Sequence, residues 1–211
     1  MAIDTSRERA LSIEEIRFVF EKFREFRESF GRDNYLACCL LLLLGVRKSE
    51  LCQAVWSEFD LESNIWNLPK ERSKSGVGLI IPLPDLATSW LEELKTRATG
   101  SDYVFPARRA SKQPHMGPDT LNRGISKLFG IDTGNRQKPP NLMGDLEYFA
   151  VHDLRRTFRS LAASLKIPSH IAERCLNHKL KGVEGIYDRY DYLDERREAL
   201  EKVAAALRPI L

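Results

Sequence analysis

The sequence has few cysteines, and their spacing does not suit a metal site or a disulfide framework. Cys38 and Cys39 are adjacent, Cys52 and Cys175 stand alone, and no C-x-x-C pair occurs. A zinc ribbon needs such pairs, and no convincing carboxylate cluster takes their place. We therefore expect thiols that pack as small apolar side chains, and neither a metal ion nor a cofactor.

Long apolar runs are also missing. The longest, from Leu36 to Gly45, is too short for a bilayer, which a helix crosses with about 20 apolar residues. It predicts a buried core helix instead. The N-terminus has no apolar stretch of the signal-peptide type. We expect a cytoplasmic protein with no membrane partner.

The charge balance excludes little. A formal net charge of +3 over 211 residues permits nucleic-acid binding without requiring it. With 43% hydrophobic residues the chain can bury a real core, and no shift in composition marks a boundary. We expect a single domain over residues 1–211.

Hydrophobic periodicity predicts helices at both ends of the chain and strands between them. Ser12 and Glu15 form a capping-box pattern before an amphipathic helix that extends to Phe30. Three short segments between Val55 and Leu83 are rich in β-branched and aromatic residues, which is typical of antiparallel strands. Further helices are predicted over 86–98, 119–129, 152–165, 168–176, 185–190 and 194–207. The fold class is therefore α+β, mainly α-helical, with a small three-stranded antiparallel sheet.

Five short motifs carry groups that bind phosphate or move protons. They are G-x-R-x-x-E at 45–50, the basic turn at 70–76, H-D-L-R at 152–155, L-N-H at 176–178 and I-Y-D-R-Y at 186–190. Each is weak alone: Arg47 and Glu50 predict a surface ion pair, usually worth under about 1 kcal/mol. His152 and Arg155 share one helix face, where an imidazole and a guanidinium suit a phosphate.

Together, in this order and spacing, the motifs make the chain resemble the tyrosine recombinases of the phage-integrase family, in particular the integrases of prophages and satellite phages. The resemblance runs from about Leu11 to the C-terminus. It implies the catalytic fold that breaks and rejoins DNA, and site-specific recombination through a 3′-phosphotyrosyl intermediate without metal or ATP.

The resemblance also implies a role for each matching residue. Arg47 and Arg155 would clamp the phosphate, and Glu50 would orient the side chains around it. His152 and His178 would bind phosphate and handle protons. Lys74 would protonate the leaving 5′ oxygen, and Tyr187 would be the nucleophile.

The implied partners are double-stranded attachment-site DNA and other integrase protomers, assembled as a tetramer on DNA. The helix 194–207 is a candidate for exchange between protomers, although it could equally pack on its own core. The core-binding and arm-binding domains of the family have no counterpart here, so we expect a C-terminal catalytic domain. Alone, it is expected to be monomeric, to bind DNA weakly and to be weakly active or inactive.

Several alternatives stay open at the level of sequence. Tyr190 and Tyr192 compete with Tyr187 as nucleophile, and Lys70 competes with Lys74. Asn177 precedes His178 where many relatives have glycine. A type IB topoisomerase would share the chemistry, and a noncatalytic DNA-binding module could share the fold.

Overall fold

The computed structural model describes residues 9–108, 112–131, 138–178 and 190–211. Within these ranges the chain forms nine α-helices, one short 3-10 helix and one three-stranded sheet. In chain order they are α1 (Ile13–Glu25), α2 (Arg27–Phe30), α3 (Arg32–Leu44), α4 (Lys48–Cys52), the 3-10 helix (Trp56–Glu58), β1 (Phe59–Asp60), β2 (Ile65–Leu68), β3 (Leu79–Pro82), α5 (Asp85–Arg97), α6 (Thr120–Leu128), α7 (Val151–Ser164), α8 (Ser169–Cys175) and α9 (Leu193–Leu207).

The first predicted helix is divided into two. The capping box is present, since Ser12 Oγ accepts from the Glu15 amide and the Glu15 carboxylate accepts from the Ser12 amide. The helix then breaks at Phe26, where φ is −100° and ψ is 39°. Beyond the break, the Phe30 ring stacks on Phe23 with 3.9 Å between centroids. No glycine or proline marks this break in the sequence.

Helix α3 forms the centre of the core, as the leucine run predicts. Every residue from Tyr35 to Leu44 is buried, and α5, α6, α7 and α9 all pack against it. A helix that is apolar on all sides is stable in water only when it is surrounded in this way. No helix in the described ranges is long and apolar enough to cross a membrane.

The sheet has the predicted antiparallel topology, in the order β1-β2-β3. Trp66 on β2 lies opposite Phe59 on one side and Ile81 on the other. The first strand is shorter than predicted because Trp56–Glu58 forms the 3-10 helix. The β2–β3 connection carries the basic turn at 70–76. The fold class predicted from the sequence, mainly helical with a small three-stranded antiparallel sheet, is confirmed.

Helix α9 packs on its own chain, against α3, α7, α8 and β3. Its buried face is Ala199, Leu200, Val203, Ala204 and Leu207. Arg196, 1% exposed, anchors its first turn by donating to the carbonyl of Ile80 at 2.7 Å. The sequence leaves open whether this helix packs on its own chain or on a neighbouring protomer. In the structure of the single chain it packs on its own core. The predicted helix at 185–190 lies, apart from Tyr190, outside the described residues.

Candidate active site

The site begins at the N-terminus of α4, where Glu50 binds three groups. Its carboxylate accepts from the backbone amide and from Nη1 of Arg47, each at 3.0 Å. It also accepts from the backbone amide of Lys74 at 3.3 Å. Glu50 is 1% exposed, so its contact with Arg47 is buried and is not the surface ion pair that the motif alone would suggest. A buried carboxylate is tolerated here because Arg47 and two amides compensate its charge.

Arg47 itself precedes α4 rather than lying on its face. It occupies the N-cap position with extended backbone, φ −76° and ψ 145°. The predicted contact between Arg47 and Glu50 is present all the same, since the carboxylate reaches back to the cap. This contact fixes the guanidinium next to the chain that enters α4.

Arg155 enters the site from α7 and is 6% exposed. Its Nη1 donates to the carbonyl oxygen of Gly45, and its Nη2 donates to that of Leu176. The guanidinium therefore connects the chain before Arg47 with the chain before His178. Burial, and second the positive charge of Arg47, lower the pKa of Arg155 to about 10, so it stays charged at neutral pH.

His152 lies in the first turn of α7, with its side chain partly open to solvent. Burial lowers its pKa below the usual value, and the positive charges of Arg156, Arg155 and Lys74 lower it further. The imidazole is therefore predominantly neutral at pH 7, which lets one ring nitrogen accept a proton.

His178 follows α8 and contacts Glu173. Its Nδ1 lies 2.6 Å from Oε2 of Glu173, whose other oxygen accepts from Nε of Arg159 at 2.7 Å. Burial acts to raise the pKa of Glu173, but the hydrogen bonds from Arg159 and His178 outweigh it and leave the pKa lowered.

The two candidate lysines, Lys70 and Lys74, both lie in the turn between β2 and β3, and they differ in their contacts. Lys70 is exposed, and its Nζ lies 3.9 Å from Glu71. Lys74, also exposed, is the one whose amide binds Glu50 and whose charge reaches His152. Arg72 points inward, to Glu58 at 2.5 and 2.6 Å and to the Glu50 carbonyl at 3.0 Å. It supports the turn and is not a phosphate-reaching side chain.

Tyr187, the predicted nucleophile, lies outside the described residues. Its competitors Tyr190 and Tyr192 are described at the start of α9, with 4.8 Å between their ring centroids. Tyr192 also packs against His170 at 5.4 Å and under the guanidinium of Arg174 at 5.5 Å. Tyr192 thus belongs to an aromatic and cationic cluster on α8.

The structure therefore brings Arg47, Glu50, Lys74 and Arg155 together, and Arg155 joins them to the chain before His178. His152 lies in the first turn of α7, the helix that carries Arg155. Two residues support the site in ways that the sequence did not predict, Arg72 and Glu173. A third, Asn177, stands out in the sequence only as a departure from glycine, and its side chain donates to Ser73 at 3.0 Å. Glu173 could have been suspected, since it stands five residues before His178, whereas the contact partners of Arg72 lie on other elements. Among the described residues, no three His, Cys, Asp or Glu side chains converge as a metal site requires.

Comparison with known proteins agrees with this geometry. Residues 11–193 match the model of the phage integrase family. The chain is 30% identical over 163 residues to the prophage integrase IntA of Escherichia coli K12, covering 76% of this chain and 35% of IntA. It is 27% identical over 174 residues to the tyrosine recombinase XerA of Pyrococcus horikoshii, covering 81% of this chain and 55% of XerA. The chain thus spans about a third of IntA and about half of XerA.

Solved structures share the fold. The lambda integrase catalytic core aligns with a TM-score of 0.59 at 19% identity, over 82% of this chain and 94% of that one. The Tn1549 transposon integrase, solved in complex with circular intermediate DNA, aligns with a TM-score of 0.62 at 15% identity, over 95% of this chain and 67% of that one. The predicted fold of a tyrosine recombinase catalytic core is confirmed, and the chain belongs to the phage integrase family.

Proposed function

We propose that this chain is the C-terminal catalytic domain of a tyrosine-type, site-specific DNA recombinase. The observation that carries the proposal is the meeting of Arg47 and Arg155, which are far apart in sequence. The charge of Arg47 acts on Arg155, and both guanidinium groups are held by contacts within the protein. Two fixed arginines, one of them bonded to the carbonyl oxygen two residues before the other, favour an anionic ligand, and a phosphodiester offers the matching pair of oxygens.

The reaction would begin with attack of the Tyr187 phenol oxygen on phosphorus. A free phenol has a pKa of about 10, so only about one in a thousand is ionised at neutral pH. His152 is suited to take the phenol proton because its lowered pKa keeps it neutral. Arg47, Arg155 and His178 would stabilise charge on the nonbridging oxygens, each charge-assisted bond contributing roughly 1.5–3 kcal/mol.

As the phosphorus–tyrosine bond forms, the bond from phosphorus to the 5′ oxygen breaks. The leaving oxygen would take a proton from Nζ of Lys74. The product is a 3′-phosphotyrosyl link, which conserves the phosphodiester energy. A 5′ hydroxyl of another strand can then reverse the attack, so strands are rejoined without ATP and without a metal ion.

The partners in this proposal are duplex DNA and further protomers of the same protein, as a tetramer on DNA, with the isolated domain monomeric. The DNA complex of the Tn1549 integrase supports the first of these. Family membership also favours action on DNA in the cytoplasm. Since the chain covers only 35% of IntA, core-binding and arm-binding domains from elsewhere in the protein would complete the clamp around DNA.

The test is covalent trapping. The protein is incubated with a library of nicked duplexes of randomised sequence, denatured, and searched by mass spectrometry for DNA-linked peptides. We expect the adduct on Tyr187, its loss in Tyr187→Phe, and its persistence in the matched variants Tyr190→Phe and Tyr192→Phe. An adduct that still forms with Tyr187→Phe would show that Tyr187 is not the nucleophile.

Two other outcomes bear on the class of protein. Relaxation of supercoiled DNA by a full-length parent, without strand exchange between marked duplexes, would favour a type IB topoisomerase. Binding of the duplexes without any adduct, even when the core-binding domain is restored, would favour a noncatalytic DNA-binding module.

A further inference from the structure

Asn177, the residue before His178, is in contact with the turn that carries Lys74. Its side-chain Nδ2 donates to Oγ of Ser73 at 3.0 Å and lies 3.4 Å from the carbonyl oxygen of Val77. These two partners lie on either side of Lys74 in the sequence. A single amide group therefore spans the part of the turn from which the Lys74 side chain projects.

The backbone of Asn177 explains only part of the choice of residue. Its φ is +50°, in the left-handed region that glycine adopts freely and that asparagine tolerates better than most residues. Glycine would meet the backbone requirement at lower conformational cost. The asparagine side chain adds the two contacts to the turn, which glycine could not make.

The orientation of the amide follows from its partners. The Val77 carbonyl can only accept a hydrogen bond, so the NH2 group of Asn177 must face it. Ser73 Oγ, which accepts from the same NH2 group, lies 2.8 Å from Oγ of Ser75. Ser75 Oγ in turn accepts from the amide of Val77 at 3.3 Å. Asn177 thus connects to a local network within residues 73–77.

Lys74 is held from the opposite direction as well. Its backbone amide donates to Glu50, the carboxylate that also binds Arg47. The turn is therefore attached on one side to the Arg47 segment and on the other to the His178 segment. The lysine side chain is long and exposed, so the position of its backbone determines which atoms Nζ can reach.

We propose that Asn177 is a positioning residue, which holds the turn at residues 73–77 so that Lys74 can protonate the leaving 5′ oxygen. The proposal rests on the function proposed above. In that function Lys74 acts on the leaving group alone, so a defect in its position should depend on which leaving group is used.

Two variants remove the tether and keep the left-handed backbone accessible. Asn177→Gly deletes the amide and both of its contacts. Asn177→Asp replaces the NH2 group with an oxygen that cannot donate to Val77, although it can still accept from the Ser73 hydroxyl. The matched control is Asn64→Gly, because Asn64 also has positive φ, +54°, and lies in the β1–β2 turn. Loss of asparagine at a left-handed position is thereby separated from loss of the tether.

The first measurement is hydrogen–deuterium exchange across residues 70–78. We expect faster exchange in this segment for Asn177→Gly and Asn177→Asp, with the amides of α3 and α7 unchanged. Asn64→Gly should leave the segment as it is in the parent protein. Unchanged exchange at 73–77 in both Asn177 variants would overturn the proposal.

The second measurement is the rate of single-turnover cleavage of a nicked duplex. Its sequence is taken from the covalent adducts described above, and the duplex is synthesised with either oxygen or sulfur at the bridging 5′ position. An alkyl thiol has a pKa of about 8.5, far below that of an alcohol, so a thiolate leaves without a proton. For the oxygen ester we expect Asn177→Gly to slow cleavage by about 10- to 100-fold, part of what a general acid contributes. On the sulfur ester, we expect both Asn177→Gly and Lys74→Ala to cleave at nearly the rate of the parent protein.

The outcomes separate the two proposals. If the parent protein cleaves but Asn177→Gly is equally slow on both esters, the residue does not act through the leaving group and the positioning role is overturned. If Asn177→Gly matches the parent on the oxygen ester, the role is overturned as well. If the parent attaches to neither ester even with the core-binding domain restored, the proposed recombinase function fails and the positioning role fails with it.

Discussion

Nδ1 of His178 donates a 2.6 Å hydrogen bond to Oε2 of Glu173. The direction follows from the lowered pKa of Glu173, because hydrogen bonds from Arg159 and His178 outweigh the effect of burial and keep the carboxylate ionised at neutral pH. An ionised carboxylate only accepts, so the proton must reside on Nδ1. The opposite ring nitrogen, Nε2, can donate to a phosphate oxygen only when it carries a proton as well.

We predict that Glu173→Gln disturbs this arrangement. The glutamine side chain carries no charge, so it favours a ring with a single proton over the doubly protonated ring whose Nε2 can donate to a phosphate oxygen. Cleavage should slow by about 10- to 100-fold, within the range that correctly placed proton donors and acceptors contribute. Nitrogen NMR shifts of the His178 ring would report its protonation state directly. Ser169→Ala is the matched control, since it removes only the 2.8 Å contact to Arg159; an unchanged ring in Glu173→Gln would contradict the prediction.

Gly45→Ala should be destabilising because two costs combine at that position. Gly45 has φ +64°, and a Cβ there would lie 2.7 Å from the ring of Phe158. The left-handed backbone alone costs about 1–3 kcal/mol for other residues. Gly144→Ala is the control, since its φ is +60° and nothing lies within 4 Å. Urea unfolding should show a larger loss for Gly45→Ala, and equal losses would mean that Phe158 moves aside freely.

Arg156→Gln should raise the pKa of His152. Burial is the larger cause of the lowered pKa, but the positive charge of Arg156 is the next. The substitution also frees Asp153, whose negative charge acts in the same upward direction. An NMR titration of the imidazole measures the shift. Lys95→Gln, which removes an exposed charge on α5, should leave the titration unchanged.

The same titration has a consequence for stability. The pKa of His152 is lower in the folded protein than the unfolded value of about 6.5, so folding favours the neutral ring. Its contribution to stability is complete above pH 6.5 and is lost as the pH falls toward the folded pKa. In Arg156→Gln the difference between the folded and unfolded pKa values of His152 becomes smaller, so the protein loses less stability when the pH is lowered.

Sequence patterns predict the fold well where the apolar residues of a segment can be buried in only one way. The run from Leu36 to Gly45 can only be stable inside the core, and the alternation around Trp66 and Ile81 suits a strand with one buried face. The break at Phe26 has no local signal, because it serves the stacking of Phe30 on Phe23. Such a contact depends on tertiary packing that periodicity does not describe.

The site divides in a similar way. The spacing of Arg47 and Glu50 predicts that they meet, but not that Glu50 is buried, since burial depends on the turn bearing Lys74 that closes over it. The basic turn predicts exposed cations, yet Arg72 points inward to Glu58, fourteen residues earlier and before β1. Spacing thus predicts the candidate reactive groups, while the residues that support them depend on contacts between distant elements.

Arg155 and Arg47 differ in how easily a mutation elsewhere in the chain can remove the contacts that hold them. Arg155 is held by the carbonyl oxygens of Gly45 and Leu176, and a main-chain oxygen is present whatever residue a codon specifies. Arg47 is held by the side chain of Glu50, which one nucleotide change can remove. Lineages of this protein should therefore tolerate replacement at Leu176 by other apolar residues far more readily than any replacement at Glu50. Among the side chains that hold the two arginines of the proposed phosphate clamp, the Glu50 carboxylate is therefore the most vulnerable to mutation, whereas Gly45 is constrained by its backbone and by Phe158.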